Sequence, residues 1–205
     1  MRRFTGEDTK AAIRETALEH FCRLGYQGAN LDDVAQALDI TRSAILFHFH
    51  SKAELLREVV QPLEDDFDRL LDTSLAVAPL RAARRRQFLT DLVDCYLAHR
   101  HIVSLIVRDI TCHEPLDIDI RIRRRVSHLA ALLVGPQPSQ RDRLVMRILM
   151  GGITNPLCDP NLELNDPASR QLLIDTALHV ARQLDSNGPP KRGTGEHREL
   201  RATTA

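Results

Sequence analysis

Apolar side chains recur at helical spacing along most of the chain. Ile13, Ala17, Leu18, Phe21 and Leu24 fall three or four residues apart and predict a first helix over 5–25. Thr5 with Asp8 reads as its capping pair and Gly25 as its stop. A short second helix is predicted over 31–38, capped by Asn30. Asp32 and Asp33 fill its first turn, where the helix dipole favours negative charge. A third segment spans 42–49. A fourth helix starts at Ser51, with Glu54 three residues on as a capping box, and runs through Leu55, Leu56 and Val59. Pro62 predicts a kink or a restart, after which Leu63, Phe67, Leu70 and Leu71 carry the period to about Val77. Further helices are predicted over 80–98, 101–113, 117–134, 140–155 and 167–185, separated by proline-containing stretches. Residues 186–205 are polar, with Gly and Pro and no period, and predict a disordered tail.

One stretch breaks this pattern. Phe47-His48-Phe49-His50 alternates apolar and polar, which is the period of a strand. Ile45 and Phe49 are four apart and would face inward together, so the alternation reads as the end of a helix. His48 and His50 then share no helix face, which argues against a metal site built from them.

The fold class is therefore all-α, with about nine helices: a small N-terminal unit over 1–52, a helical body over 53–185 and the tail 186–205. Composition agrees. Aromatics are 4%, Trp is absent, and Leu, Ala and Arg, all good helix formers, are abundant. No apolar run reaches the roughly 18–20 residues that span a bilayer. The arginines near the start precede no apolar stretch of the secretory kind, so the protein is expected to be cytoplasmic and to have no membrane partner. Cys22, Cys95, Cys112 and Cys158 lie far apart, form no CxxC, and are expected to be free. Lys plus Arg and Asp plus Glu both number 28, a formal net charge of zero. Within residues 1–60 they number 8 and 9. Any nucleic-acid contact must then come from where charges sit, not from bulk charge.

Two short helices joined by a tight turn, Asp39-Ile40-Thr41, and preceded by a longer helix describe a helix-turn-helix over about 30–49. Val34, Leu38, Ile40, Ile45 and Phe49 are the positions that bury where such helices cross. Thr41 caps the second, which places Arg42, Ser43 and Ala44 in the turn that meets base edges in this motif. The stretch from Gly25-Tyr26 through Val34-Ala35, Ile40-Thr41-Arg42, Ile45, Phe47, His48, Phe49 and Lys52 resembles the N-terminal domain of the TetR family of bacterial transcriptional repressors. The resemblance covers about residues 5–60, and the body shares the family's helix count and lengths. Three positions depart from the family pattern. Asp39 replaces a turn glycine, Ser43 replaces a glycine of the recognition helix, and Leu46 stands where a tyrosine usually contacts phosphate.

The resemblance implies a repressor that binds a palindromic double-stranded DNA operator as a homodimer and is released by a small-molecule effector. DNA contacts are expected from Asn30, Thr41, Arg42, Ser43, Ala44, Phe47, His48 and Lys52. Phe47 can only pack, against a thymine methyl or a sugar. Arg2 and Arg3 read as an ordinary terminus or, alternatively, as a minor-groove arm. The last two helices, implied by the family as a four-helix dimer interface, carry more apolar residues than one buried face needs: Leu144, Val145, Ile148, Leu149 and Gly152, then Leu173, Ala177, Val180 and Leu184. Tyr96, His99, Ser104, Arg108 and Cys112 are candidates to line an effector pocket.

The basic runs at 81–86 and 121–125 read as solvated helix faces, because successive helical residues point in different directions. A second nucleic-acid surface is the alternative. His99, His101, Cys112 and His113 fit no compact zinc spacing. No Ser-His-Asp spacing, HExxH or Walker loop is present. No cofactor, no metal and no enzymatic activity are expected. The competing readings are an interaction module with weakened DNA binding, and, further off, a metal or redox sensor or an enzyme.

Overall fold

A computed structural model describes residues 6–75, 78–164 and 166–184. The Thr5 cap, the Arg2-Arg3 arm, the reach to Val77 and the tail lie outside these residues. Among the described residues the chain forms nine α-helices and no strand. They are α1 (Gly6–Gly28), α2 (Leu31–Ala37), α3 (Arg42–His48), α4 (Lys52–Leu75), α5 (Ala82–Ala98), α6 (Arg100–Arg108), α7 (Ile118–Leu133), α8 (Gln140–Leu157) and α9 (Pro167–Ala181). Two 3-10 turns, Ile110–Cys112 and Arg182–Leu184, follow α6 and α9.

The predicted stops and caps take physical form. Gly25 leaves the helical region at φ 74°, ψ 161°, and a last turn carries α1 to Gly28. The Asn30 side chain accepts from the Asp32 N–H, and the Thr41 hydroxyl accepts from the Ala44 N–H. Ser51 Oγ accepts from the Glu54 N–H. The Glu54 carboxylate accepts from the His50 N–H, one residue before the usual capping-box partner.

Pro62 does not interrupt α4, which runs on to Leu75. The proline faces solvent, so the carbonyl that loses its helical partner is open to water. The helix does not restart there.

The core is one contiguous apolar cluster running from Ile13, Phe21, Val34, Ile45 and Phe49 through Leu55, Leu56, Phe67 and Leu92 to Leu149 and Leu178. Of the five positions expected to bury at the helix crossing, Val34, Ile45 and Phe49 are fully buried, while Leu38 and Ile40 pack against the core from its edge. α4 is the element that joins the two ends of the molecule. Its start packs on α1 and its length packs on α5 and α7. α8 and α9 pack on each other, and also on α6 and α5 respectively.

Candidate nucleic-acid interface and interior chamber

The turn between α2 and α3 is a Schellman-type stop. The Ile40 N–H reaches back to the Ala35 carbonyl, and the Asp39 N–H to the Gln36 carbonyl. This closure requires a left-handed residue at Asp39, and its φ is 53°. The departure from glycine thus falls at a position where glycine is the unstrained choice, and aspartate is among the few side chains that tolerate it.

α3 turns Ile45 inward and leaves Arg42, Ser43 and Phe47 exposed. Phe47 is 80% exposed, the most exposed of the large apolar side chains in the described residues. Its ring rests edge-on against His48, with centroids 5.3 Å apart. The helix ends at His48, and Phe49 is extended, so the alternating stretch is a helix end and not a strand. His50 turns away to Glu54, with Nδ1 3.1 Å from Oε2.

Arg42 does not point freely outward. Its Nη1 donates to Asp32 Oδ2 at 2.8 Å, and both side chains are 53% exposed. Asn30 and Thr41 are helix caps first; each keeps a side-chain donor beyond its capping bond. Ala44 and His48 are half-buried. Leu46 is also half-buried and joins Gln27, Asn30, Arg42, His50 and Lys52 around a surface cleft of about 560 Å³.

Lys52 lies on the rim of that cleft. Its Nζ donates to the Gln27 carbonyl at 3.2 Å and sits 4.7 Å from the centroid of the Tyr26 ring. Desolvation lowers its pKa, with Asp109 and Cys112 acting against that shift. One of its three donors is therefore engaged within the protein. The Tyr26 ring meets Phe21 on its other contact, edge-on at 5.7 Å. The Tyr26 N–H donates to Asp109 Oδ2 at 2.5 Å. Burial opposes ionisation of Asp109. Hydrogen bonds from Thr111, from the Tyr26 N–H and from Cys112 outweigh it and hold the carboxyl below its usual range. Gly25 and Tyr26 thus join α1 to α4 and to the turn after α6. Sequence reasoning missed Asp109, because nothing local marks a residue that bonds 83 positions away.

The five predicted pocket residues do not converge. Tyr96 is buried, stacked on Phe67 with centroids 5.9 Å apart. His99 Nε2 pairs with Asp66 Oδ2 at 2.8 Å. Ser104 and Arg108 line a separate crevice against the end of α1, and Arg108 donates to the Cys158 carbonyl. Cys112 is fully buried. The set is spread over several elements: Tyr96 on α5, His99 between α5 and α6, Ser104 and Arg108 on α6, and Cys112 in the 3-10 turn that follows.

An apolar chamber of about 230 Å³, open to solvent past Val107, Ile122 and Val126, does lie in the body, and Tyr96 is the one predicted residue on its wall. Phe67, Ile106, Val126 and Met150 line it, with Arg121 and Arg125. A signal for the two arginines was present in the sequence. Ile118, Arg121, Arg125 and Leu129 share one helical stripe, so two members of the basic run 121–125 face inward and are not wholly solvated.

Among the described residues no group of three or more His, Cys, Asp or Glu is placed to hold a metal. The cysteines are free thiols. Burial pushes Cys95 up to about 11 and, with Asp109 adding to it, Cys112 up to about 12. Burial raises Cys22 and Cys158 as well. Reactive thiolates need the opposite shift. No helix among the described residues is long and apolar enough to cross a membrane.

The residues assigned to dimerisation divide into two sets. Val145, Leu149, Leu173, Ala177 and Leu184 are buried in the chain's own core. Leu144 (60% exposed), Ile148 (54%) and Gly152 face out from α8, and Val180 is half-buried on α9. Leu172, 67% exposed, joins that outer set and was missed.

Residues 13–59 match the family model for bacterial regulatory proteins of the tetR family. The transcriptional regulator SrpR of Pseudomonas putida is 40% identical over 65 residues, covering 30% of this chain and 30% of that protein. A probable acrEF/envCD operon repressor of Escherichia coli K12 is 37% identical over 51 residues, covering 25% of this chain and 23% of that protein. The match thus spans less than a third of either relative's length. The crystal structure of a TetR-like transcriptional regulator from Rhodococcus sp. RHA1 superposes with a TM-score of 0.66 at 18% identity, covering 90% of this chain and all of that one (100%). The N-terminal unit of this chain belongs to the tetR family of bacterial regulatory proteins, and its body has the fold of a solved TetR-like regulator.

Proposed function

We propose that this chain is a sequence-specific DNA-binding transcriptional regulator that represses from a palindromic operator as a homodimer and releases it when a small molecule occupies the body. The observation that carries the reading is the outer face of α3. A seven-residue helix exposes Arg42, Ser43 and an 80% exposed phenylalanine while its other side is locked into the core by Ile45. A lone exposed ring is ordinary on a protein surface; this one stands beside Arg42 and Ser43 on the exposed side of the second helix of a helix-turn-helix. α3 enters the major groove, Arg42 meets a guanine edge or a phosphate, and Phe47 packs on a thymine methyl. Ser43, Ala44, Thr41 and His48 border that contact. Asn30 and Lys52 contact the backbone from the rim, with the donors their internal bonds leave over.

In this reading residues 1–52 bind DNA, and 53–185 hold the effector and the dimer contact. Leu144, Ile148, Gly152, Leu172 and Val180 form the outer face that meets a second copy across a two-fold axis. Two recognition helices then sit about 34 Å apart, one DNA turn. Selection from a pool of random duplexes, with the purified full chain as bait, tests binding and symmetry together. An enriched palindrome with half-sites one turn apart is the expected result. No enriched sequence refutes the reading and favours an interaction module with an inactive helix-turn-helix.

A further inference from the structure

Glu64 on α4 is 6% exposed and faces α7. Arg121 Nη1 donates to its Oε2. Arg125 Nη2 stands 3.5 Å from Oε1, which has no hydrogen bond. The Arg125 guanidinium also lies over the Phe67 ring, 4.8 Å from its centroid. The apolar chamber opens beside this trio, and Arg121 and Arg125 are the charged residues of its lining. A second cleft, on the other side of the same arginines, adds Asp68, Asp72, Arg124 and His128, with both aspartates exposed to solvent.

Two guanidiniums against one carboxylate leave the trio with a net charge of about +1 at neutral pH. Each guanidinium presents five N–H donors in a fork that matches a carboxylate. Asp68 and Asp72 offset the positive charge on the side of the second cleft, but the chamber lining holds the two arginines and no carboxylate, so an anionic headgroup there meets guanidinium donors without a competing acid on the wall. A neutral headgroup can accept from the donors but lacks the charge attraction, and a cation is repelled. The remaining walls, with Phe67, Ile106, Val126, Leu129 and Met150, suit an alkyl or aryl body. Tyr96, also on the wall, adds an aromatic face.

We infer that the chamber takes an amphipathic monocarboxylate, whose headgroup competes with Glu64 for Arg121 and Arg125. Its consequence at DNA rests on the regulator reading above; the binding itself does not. Glu64 ties α4 to α7, and three residues separate the end of α3 from the start of α4. Releasing Glu64 frees α4 to shift relative to the body, and α3 shifts with it.

Calorimetric titration of the full chain with decanoate, decanol and decyltrimethylammonium tests this. Decanoate should bind at least about tenfold more tightly than decanol, and the cation more weakly than either. Glu64→Gln keeps an acceptor between the arginines but removes the competing charge. It should tighten decanoate about tenfold and leave decanol unchanged. Equal affinity for decanoate and decanol, no binding of any of the three, or no effect of Glu64→Gln on decanoate overturns the inference. On the selected operator, saturating decanoate should weaken DNA binding at least about tenfold. Decanoate binding with DNA affinity unchanged overturns the coupling through Glu64. A chain with no operator at all refutes the regulator reading, while the titration still decides the chamber.

Discussion

Replacing Asp32 with asparagine removes one negative charge from the start of α2 and keeps the shape of the side chain. Arg42 lies 2.8 Å from that carboxylate, and both groups are 53% exposed. So open a pair contributes about 0.2–1 kcal/mol to folding. Losing an acid from the first turn of a helix costs about 0.3–1 kcal/mol more. Stability should therefore fall by no more than about 2 kcal/mol. For DNA binding the sign reverses. Arg42 must leave Asp32 to reach a base or a phosphate, so the energy of the pair is subtracted at each half-site. The free carboxylate would then stand near the DNA backbone and repel it. Removing both effects should yield about 0.5–1 kcal/mol per half-site, or about 1–2 kcal/mol per dimer, which is about 5–30-fold tighter binding. Fluorescence anisotropy with the selected operator, at about 50 and about 200 mM salt, reads this. Arg42→Ala is the companion variant. It should cost about 1–3 kcal/mol per half-site if Arg42 reads a guanine. If it meets phosphate, the salt slope of the dimer should fall by about 1.8. Asp32→Asn on the Arg42→Ala background should gain much less than on the native chain. Unchanged or weaker binding by Asp32→Asn, or full affinity in Arg42→Ala, refutes the docking of α3.

Asp39→Gly relieves a left-handed residue at the stop of α2 and should stabilise the fold by about 0.5–1 kcal/mol in urea unfolding; a loss of stability would contradict the strain argument. Gly25→Ala should do the reverse. At φ 74° an added Cβ would lie 3.2 Å from Asp109 Oδ2, so a cost of about 1–3 kcal/mol is expected, and an unchanged thermal midpoint would show that the junction yields. Leu144→Asp combined with Ile148→Asp changes two exposed residues of α8. Light scattering should report a monomer with its helical circular dichroism intact, whereas a persisting dimer would place the interface elsewhere.

Much of the local architecture was legible in the residues. The caps Asn30, Thr41 and Ser51, the Gly25 stop and the ends of most helices follow from rules that act within about four residues. The alternation at Phe47-His48-Phe49-His50 resolved the same way, because Ile45 and Phe49 are one turn apart. Pro62 was the exception. Its effect depends on which side of α4 meets solvent, and that is settled by packing.

The sequence by itself determined the helices, their order and the helix-turn-helix, since each depends on spacing that one segment carries alone. Tertiary structure decided which partner each side chain met. Tyr26 bonds Asp109 across 83 positions, and Arg121 bonds Glu64 across 57. No local pattern encodes such pairs. It also decided which apolar stripe of α8 is inside. Leu149 and Ile148 are neighbours of the same chemistry, one 1% exposed and the other 54%. Hydrophobicity favours covering both alike. Only the arrangement of the other helices around α8 determines that the protomer covers the first and leaves the second open.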